Sequence, residues 1–396
     1  MIPVADAFEF DYFGTDIVYG RGSVADLKNH LADDGFDRAL VVCGRNVGSN
    51  EALMSQVRAG LGDALVGVFD ETTPAKLADT VADGIEVMRD LEPDVLVGLG
   101  GGSSLDIARQ LSSYEADGRP ISAYQEAAHE GREEPPDPDP RDLTAVAQLP
   151  TTFAGADISA GGSIEILPAE DSHTGQPIRW NHPVWPELIL YDPDLFETTP
   201  MGALAGSAMN GFDKAIETPY ARTANPITDA TAVHSLRLLR DGFVHLGDDP
   251  SAMDRAVNGI ILAQFERKIS IVHAFGHGFS QRYPVQQGDA HAIVVPHVLR
   301  YLFGKIDAGR QKLAAGFDID PAAHSDDALG EAIVAEVEAV RNSFDLPTRL
   351  RDLDPVDPDD FPAIAEFILD DHLMPNAPAD LNPTPAEIEA VLHEAW

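Results

Sequence analysis

The chain is short of cysteine, of basic residues and of long apolar runs. Cys43 is the only cysteine among 396 residues, so an internal disulfide is excluded and any metal site must draw on other residue types. No apolar run reaches the length of a membrane-spanning helix. The opening residues, Met1-Ile2-Pro3-Val4-Ala5-Asp6, show no basic segment followed by an apolar stretch, so no secretory signal is expected. Basic residues, Lys above all, are outnumbered: 27 Lys and Arg stand against 66 Asp and Glu, for a net charge of −39. A field of that sign repels nucleic acid and anionic membranes, and neither is expected as a partner. The acids are dispersed over helix surfaces and loops, and such self-repulsion is tolerable where salt screens it. The expectation is a cytoplasmic protein of a high-salt cytosol, with a homodimer as the default assembly.

What is present is enough for two domains with substantial cores, since 44% of the residues are hydrophobic. The first half alternates compact apolar strands with helices. Strands are expected at Asp16–Gly20, Arg38–Cys43, Leu65–Phe69, Asp94–Leu99 and Leu143–Gln148. Ser23 is expected to cap a helix running to Asp34, and Pro74 to open a helix from Ala75 to Leu91. Near-continuous apolar strands between helices indicate a parallel sheet covered on both faces. Residues 126–142 are acidic and proline-rich and read as a solvated loop. Ser159–Leu167 and Trp180–Tyr191 read as extended segments. From about Pro193 the periodicity is helical almost to the C-terminus. The reading is an α/β domain over residues 1–193, followed by an all-helical domain over 194–396.

Three segments carry chemistry. Gly100-Gly101-Gly102-Ser103-Ser104-Leu105-Asp106 follows an apolar strand and precedes a helix. Glycines there let backbone N–H groups approach a pyrophosphate at a helix N-terminus, and Ser103 adds a hydroxyl. A purely structural turn is the competing account. Thr151 and Thr152, at the end of the next strand, offer hydroxyls to a ribose or a nicotinamide amide; alone they would pass for an ordinary loop. The third signal is a pair of helices, Asn210–Glu217 and His273–His277, followed by Gln287-Gly288-Asp289-Ala290-His291. At spacing i, i+4, Asn210 and Lys214 share one face, as do His273 and His277. Two histidines so placed suit a metal or, equally, two satisfied polar contacts.

Taken in order, Gly100–Asp106, Pro150–Thr152, the Ala-Ile-Glu ending at Glu217, the His-x3-His helix and Ala292–His297 resemble the iron-containing alcohol dehydrogenase superfamily, from Phe13 to about Phe303. The resemblance implies a dehydroquinate synthase-like architecture: an N-terminal dinucleotide-binding α/β domain, then a helical domain. It also implies an NAD(P)-dependent oxidoreductase acting on a small alcohol or carbonyl compound. The family's four metal ligands fall here on Asn210, Lys214, His273 and Gln287, so only one strong ligand survives and no metal is expected. Asp213 and Asp289 are the conceivable substitutes. Pro150-Thr151-Thr152-Phe153-Ala154-Gly155 and Asn210 look nearest the maleylacetate reductase branch, which works without metal, although that branch keeps His where this chain has Lys214.

These readings give a site. Lys214 replaces the metal charge at the developing alkoxide, His277 relays the proton, and Asn210 and His273 orient them. Arg267, Lys268, Arg282 and Gln287 line the substrate side. The basic three suit a carboxylate or phosphate, or else a salt-bridge network with Glu266 and its neighbours. The cofactor rests on Gly44, Arg45, Asn46, Gly100, Gly101, Gly102, Ser103, Asp106, Thr151 and Thr152. The turn Gly44-Arg45-Asn46 has no carboxylate to oppose a 2′-phosphate, which favours NADP over NAD. A metal-dependent dehydrogenase with shifted ligands and a catalytically silent dinucleotide binder are the competing accounts.

Overall fold

A computed structural model describes residues 14–173 and 175–396; the opening hexapeptide and Phe13 lie outside the described residues. These fall into two units, one of residues 14–152 and 156–199, the other of 153–155 and 200–396.

The first unit is built on six strands: β1 (Asp16–Tyr19), β2 (Ala39–Val42), β3 (Leu65–Phe69), β4 (Val95–Gly100), β5 (Ala145–Pro150) and β8 (Leu188–Tyr191). They pair in the order β1-β8-β5-β4-β2-β3, all parallel. Alternate side chains of β2 and β4 feed two cores. Leu40, Val42 and Leu96 pack with Val81, Ile85, Ile107 and Leu111 on one face. Val41, Val97 and Leu99 pack with Leu53, Val57 and Leu61 on the other. Burial on both faces is why these strands read as unbroken apolar runs. The covering helices are α1 (Leu27–Asp33), α2 (Arg45–Gly48), α3 (Glu51–Leu61), α4 (Ala78–Leu91), α5 (Gly102–Asp117), α6 (Ile121–His129) and α7 (Pro193–Phe196).

Several local expectations shift. Ser23 caps nothing: it opens a 3-10 turn over Ser23–Asp26. The orphan N–H groups of Gly22 and Val24 instead donate to the Asp192 carboxylate, 3.0 Å each, a partner 170 and 168 residues away in sequence. Pro74 does not start α4, because Lys76 takes φ 54° and breaks the helical path before Ala78. The acidic stretch 126–142 is not wholly irregular, since α6 continues to His129 and a 3-10 turn spans Pro140–Asp142. The extended segments condense into a short antiparallel pair, β6 (Ile164–Leu167) with β7 (Ile178–Trp180), and into β8.

The second unit is helical: α8 (Met201–Glu217), α9 (Pro226–Val244), α10 (Ala252–Gln264), α11 (Ile271–Arg282), α12 (Gln287–Lys305), α13 (Arg310–Gly316), α14 (Asp326–Ser343), α15 (Phe361–Asp370) and α16 (Pro385–Glu394). Capping boxes fix the starts of α9 (Asn225 with Thr228) and α16 (Thr384 with Glu387). Two glycines set how closely α8 is approached. A Cβ on Gly288 of α12 would stand 2.0 Å from the Gly206 carbonyl oxygen, and one on Gly211 would stand 2.2 Å from that of Phe153. Both contacts meet rigid backbone, so only glycine fits. No helix among the described residues is long and apolar enough to cross a membrane.

Candidate functional site

In the sheet unit, β4 runs directly into the glycine loop. Gly100 has φ 125°, open to glycine and strained for other residues. Cβ atoms on Gly101 and Gly102 would meet the Thr152 side chain at 3.3 Å and Ala156 Cβ at 3.1 Å. No side chain caps α5. The Ser104 N–H turns back to Gly101 O (3.0 Å), and the N–H groups of Gly102 and Ser103 stand ahead of it at the helix start, where an anion is favoured. These features fit a pyrophosphate cradle in the manner expected of Gly100, Gly101, Gly102 and Ser103. The threonines divide. Thr152 borders the glycines, whereas Thr151 is buried and its main chain is engaged, the N–H donating to Gly100 O (3.0 Å) and the carbonyl accepting from Thr199 Oγ1 (2.9 Å). Asp106 is engaged as well, accepting from Lys76 Nζ (2.9 Å) and from fully buried Arg109 (2.5 Å).

At the end of β2, Gly44 lies close under Thr72, and Arg45 and Asn46 are exposed. The premise that no carboxylate stands beside Arg45 is overturned. Its Nε donates to Glu71 Oε2 at 2.8 Å. Because β2 and β3 pair in parallel with Val42 opposite Phe69, the residues leaving β3 emerge beside those leaving β2. A local reading of residues 44–49 cannot see them.

In the helical unit, α8, α11 and α12 bring together Asn210, Lys214, His273 and Gln287. Asn210 Nδ2 donates to Gln287 Oε1 at 2.8 Å. Lys214 is buried, and its ammonium donates to the carbonyls of Ala154 (2.5 Å) and Gly155 (2.8 Å). With its amide turned to satisfy both neighbours, Gln264 accepts from Lys214 Nζ at 3.3 Å and donates to Gly155 O at 2.7 Å. Gly155 is obligatory: φ is +65°, and a Cβ would lie 1.5 Å from the Gln264 side-chain amide.

Behind Lys214 lies a layer of buried acids and imidazoles. His273 Nδ1 is hydrogen-bonded to Glu217, whose other oxygen accepts from the Val272 N–H (2.6 Å) and the Ser270 hydroxyl (3.2 Å). Asp213 Oδ2 lies 2.9 Å from His291 Nδ1, and the two imidazole rings are edge-on at 4.7 Å. Burial governs their protonation, disfavouring every charge. It lifts the Glu217 carboxyl to about 8, against its backbone hydrogen bonds, and raises Asp213 well above the carboxylate range. It also lowers His291 to about 3, helped by His277 and the Lys214 cation, and His273 well below its usual value, helped by His291 and the same cation. At neutral pH both histidines are uncharged.

His277 faces outward from α11 and is a third exposed. Its Nδ1 lies 2.9 Å from Oδ2 of buried Asp371. A carboxylate on Nδ1–H fixes the tautomer and leaves Nε2 to exchange a proton, an arrangement suited to a general acid or base. Asp371 follows α15, 94 residues after His277, and nothing local in the sequence marks it.

The basic residues expected on the substrate side scatter. Lys268 Nζ pairs with Glu266 at 3.1 Å and Arg282 with Asp360 at 2.5 Å, the latter an exposed bridge at the end of α11. Arg267 alone of the three acts on the cluster, its charge helping to keep His273 neutral.

Residues 14–193 match the family model for iron-containing alcohol dehydrogenase, and residues 204–396 match that for the C-terminal part of the same family. The chain belongs to the iron-containing alcohol dehydrogenase superfamily. It is similar to an NAD-dependent methanol dehydrogenase of Bacillus methanolicus, 26% identical over 72% of this chain and 73% of that one. Maleylacetate reductase 2 of Cupriavidus pinatubonensis is 26% identical over 78% of each chain. The fold is the dehydroquinate synthase-like fold of the superfamily. A solved 1,3-propanediol oxidoreductase superposes with a TM-score of 0.83 at 22% identity, covering 98% of this chain and all of the other.

The iron in the superfamily's name can be tested against the donors present. The four ligand positions hold an ammonium, two amides bonded to each other and one imidazole whose Nδ1 is paired with Glu217. A cation in the middle and no carboxylate do not fit a divalent metal. Asp213 does not repair the set, for its carboxylate is turned to His291. Among the described residues, three potential ligand atoms come within 4.8 Å of one another only at His277, Asp371 and His372. Of the residues given no role in the sequence, Glu71, Glu217, Gln264, His291 and Asp371, only Glu217, at the end of Ala-Ile-Glu, and His291, four residues after Gln287, carried a local signal.

Proposed function

We propose that the chain is an NAD(P)-dependent oxidoreductase that interconverts a small alcohol and its aldehyde or ketone without a catalytic metal. The observation that carries the reading is the buried Lys214 ammonium, held by two main-chain carbonyls at the positions where the family places metal ligands. A nicotinamide dinucleotide, for which the glycine loop and the open start of α5 are suited, supplies the hydride chemistry when bound. The chain's own residues do the rest. Lys214 provides fixed positive charge in a desolvated setting, where charge acts most strongly on a developing alkoxide. Asn210 and Gln287 present a rigid amide pair, and neutral His273 is oriented by Glu217. His277, buttressed by Asp371, exchanges the proton with solvent through Nε2. The maleylacetate reductase among the relatives favours a carboxylate-bearing substrate, with Arg267 as its partner.

The test is turnover of metal-stripped protein with small aldehydes, ketones and oxo-acids, from low to molar salt. Full activity after chelation is expected, rising with salt as screening relieves a net charge of −39. Activity that dies on chelation and returns with iron, zinc or manganese would overturn the metal-free reading.

Glu71 bears on the choice of cofactor. A carboxylate beside the ribose end accepts from a 2′-hydroxyl and repels a 2′-phosphate, so the pairing of Arg45 with Glu71 now favours NAD. Glu71→Ala is expected to raise kcat/KM with NADPH relative to NADH by roughly 10-fold, the equivalent of about 1.4 kcal/mol. An unchanged ratio would remove Glu71 from cofactor selection.

A further inference from the structure

His277 sits beside a second imidazole with no part in the mechanism above. His372 follows Asp371 directly, and its ring stacks on that of His277, 14° from parallel with centroids 5.6 Å apart. Each ring turns Nδ1 toward the carboxylate between them, 2.9 Å from His277 to Asp371 Oδ2 and 3.5 Å from His372 to Oδ1. The three ligand atoms lie within 4.8 Å of one another. Asp371 is the rigid member, its side chain only 4% exposed and its Oδ1 fixed by the Leu373 N–H at 2.9 Å. Burial alone would raise its pKa, but the His277 hydrogen bond and the Leu373 N–H outweigh that and keep the carboxyl below its usual range, ready as an anion. His372 is the exposed member, with its side chain 77% open to solvent.

Two imidazoles and a carboxylate are the donor set of zinc-class ions, not of magnesium or calcium. With metal–ligand bonds of about 2.1 Å, neighbouring ligands of a tetrahedral ion stand roughly 3.4 Å apart. The two Nδ1–oxygen separations, one to each oxygen of the carboxylate, lie on either side of that value, and exposed His372 leaves a solvent-facing side for water as the remaining ligand.

We propose that His277, Asp371 and His372 form a binding site for a zinc-class divalent cation, and that its occupancy switches off His277 as a proton carrier. The second half rests on the role given to His277 above. An ion bound at Nδ1 displaces the hydrogen there, and the neutral ring then carries its hydrogen on Nε2. The Nε2 lone pair that accepts a proton is lost, and the charge of the ion disfavours a second proton on the ring. The site is separate from the four family ligand positions and shares no residue with them.

Cobalt(II) added to the metal-stripped full-length protein reads the site directly. One equivalent is expected to give the visible absorption of a low-coordinate cobalt–imidazole centre, displaced by zinc. His372→Ala removes an exposed side chain outside the proposed machinery, so folding and metal-free turnover stay unchanged. Cobalt affinity is expected to fall about 10- to 100-fold, as when a metal site loses one of its supporting residues. Zinc should inhibit the wild type as the absorption saturates and leave His372→Ala active at the same concentration. Absence of the band, or an equal affinity in the variant, overturns the site. A band lost in the variant while zinc leaves wild-type turnover untouched overturns the switch and, with it, the role of His277, but not the site.

Discussion

Lys214→Met is expected to lower kcat by about 100-fold or more, the loss typical of removing one preorganised group that stabilises an oxyanion. Dinucleotide affinity, measured by quenching or calorimetry, should hardly move, because the residues suited to the cofactor lie in the sheet unit. Stability changes as well. The Ala154 carbonyl loses the ammonium and the Gly155 carbonyl keeps only the Gln264 amide, and an unsatisfied buried acceptor costs about 1–3 kcal/mol. The two effects separate in Lys214→Arg. That variant keeps charge and donors but not the compact shape of an ammonium, and should recover more stability than turnover. If Lys214→Met keeps wild-type kcat in the folded protein, the lysine is only a clamp on residues 154–155 and the proposed mechanism fails.

The second large effect is the pH dependence set by the buried acids and imidazoles. A neutral carboxyl beside a neutral imidazole holds as many protons as the corresponding ion pair. Between about pH 4.5 and 6.5 the folded cluster and the unfolded chain therefore bind similar numbers, and the opposing dependences cancel. Single variants expose them. Glu217 is raised to about 8; the stability it contributes is complete below its ordinary pKa and is lost as pH rises through 8. His291 is lowered to about 3; its contribution is complete above its ordinary pKa and is lost as pH falls toward 3. The advantage of wild type over His291→Asn should thus shrink by up to about 1.4 kcal/mol for each pH unit of acidification below 6.5. The advantage over Glu217→Gln should shrink similarly for each unit of alkalinisation above 4.5. Denaturant unfolding of the three proteins from pH 4 to 8 checks both slopes, and parallel curves would show that these groups titrate alike in folded and unfolded chains.

The relation of sequence to structure differs from element to element. β2 and β4 fall within a residue of expectation, because full burial on two faces demands uninterrupted apolar side chains, and β3, an edge strand only partly buried, still lies where its apolar run ends on both sides. The glycine loop was legible because a strand, three glycines and a helix are consecutive in the chain. Ser23 misled because its role passed to Asp192, and Lys76 because a positive φ leaves no mark on a residue other than glycine or asparagine.

By itself the sequence determined the α/β-then-helical order, from residue type and near-neighbour spacing, and the superfamily, from motifs taken in order. That resemblance, and not spacing, is what sets Asn210, Lys214 and Gln287 at ligand positions. Only the tertiary structure decided the partners: Glu71 for Arg45, Glu217 for His273, Asp371 for His277, and the carbonyls of residues 154 and 155 for Lys214. Those pairs span 26, 56, 94 and about 60 residues of chain. A hydrogen bond depends on where packed helices and parallel strands end in space, and separation along the chain does not encode that.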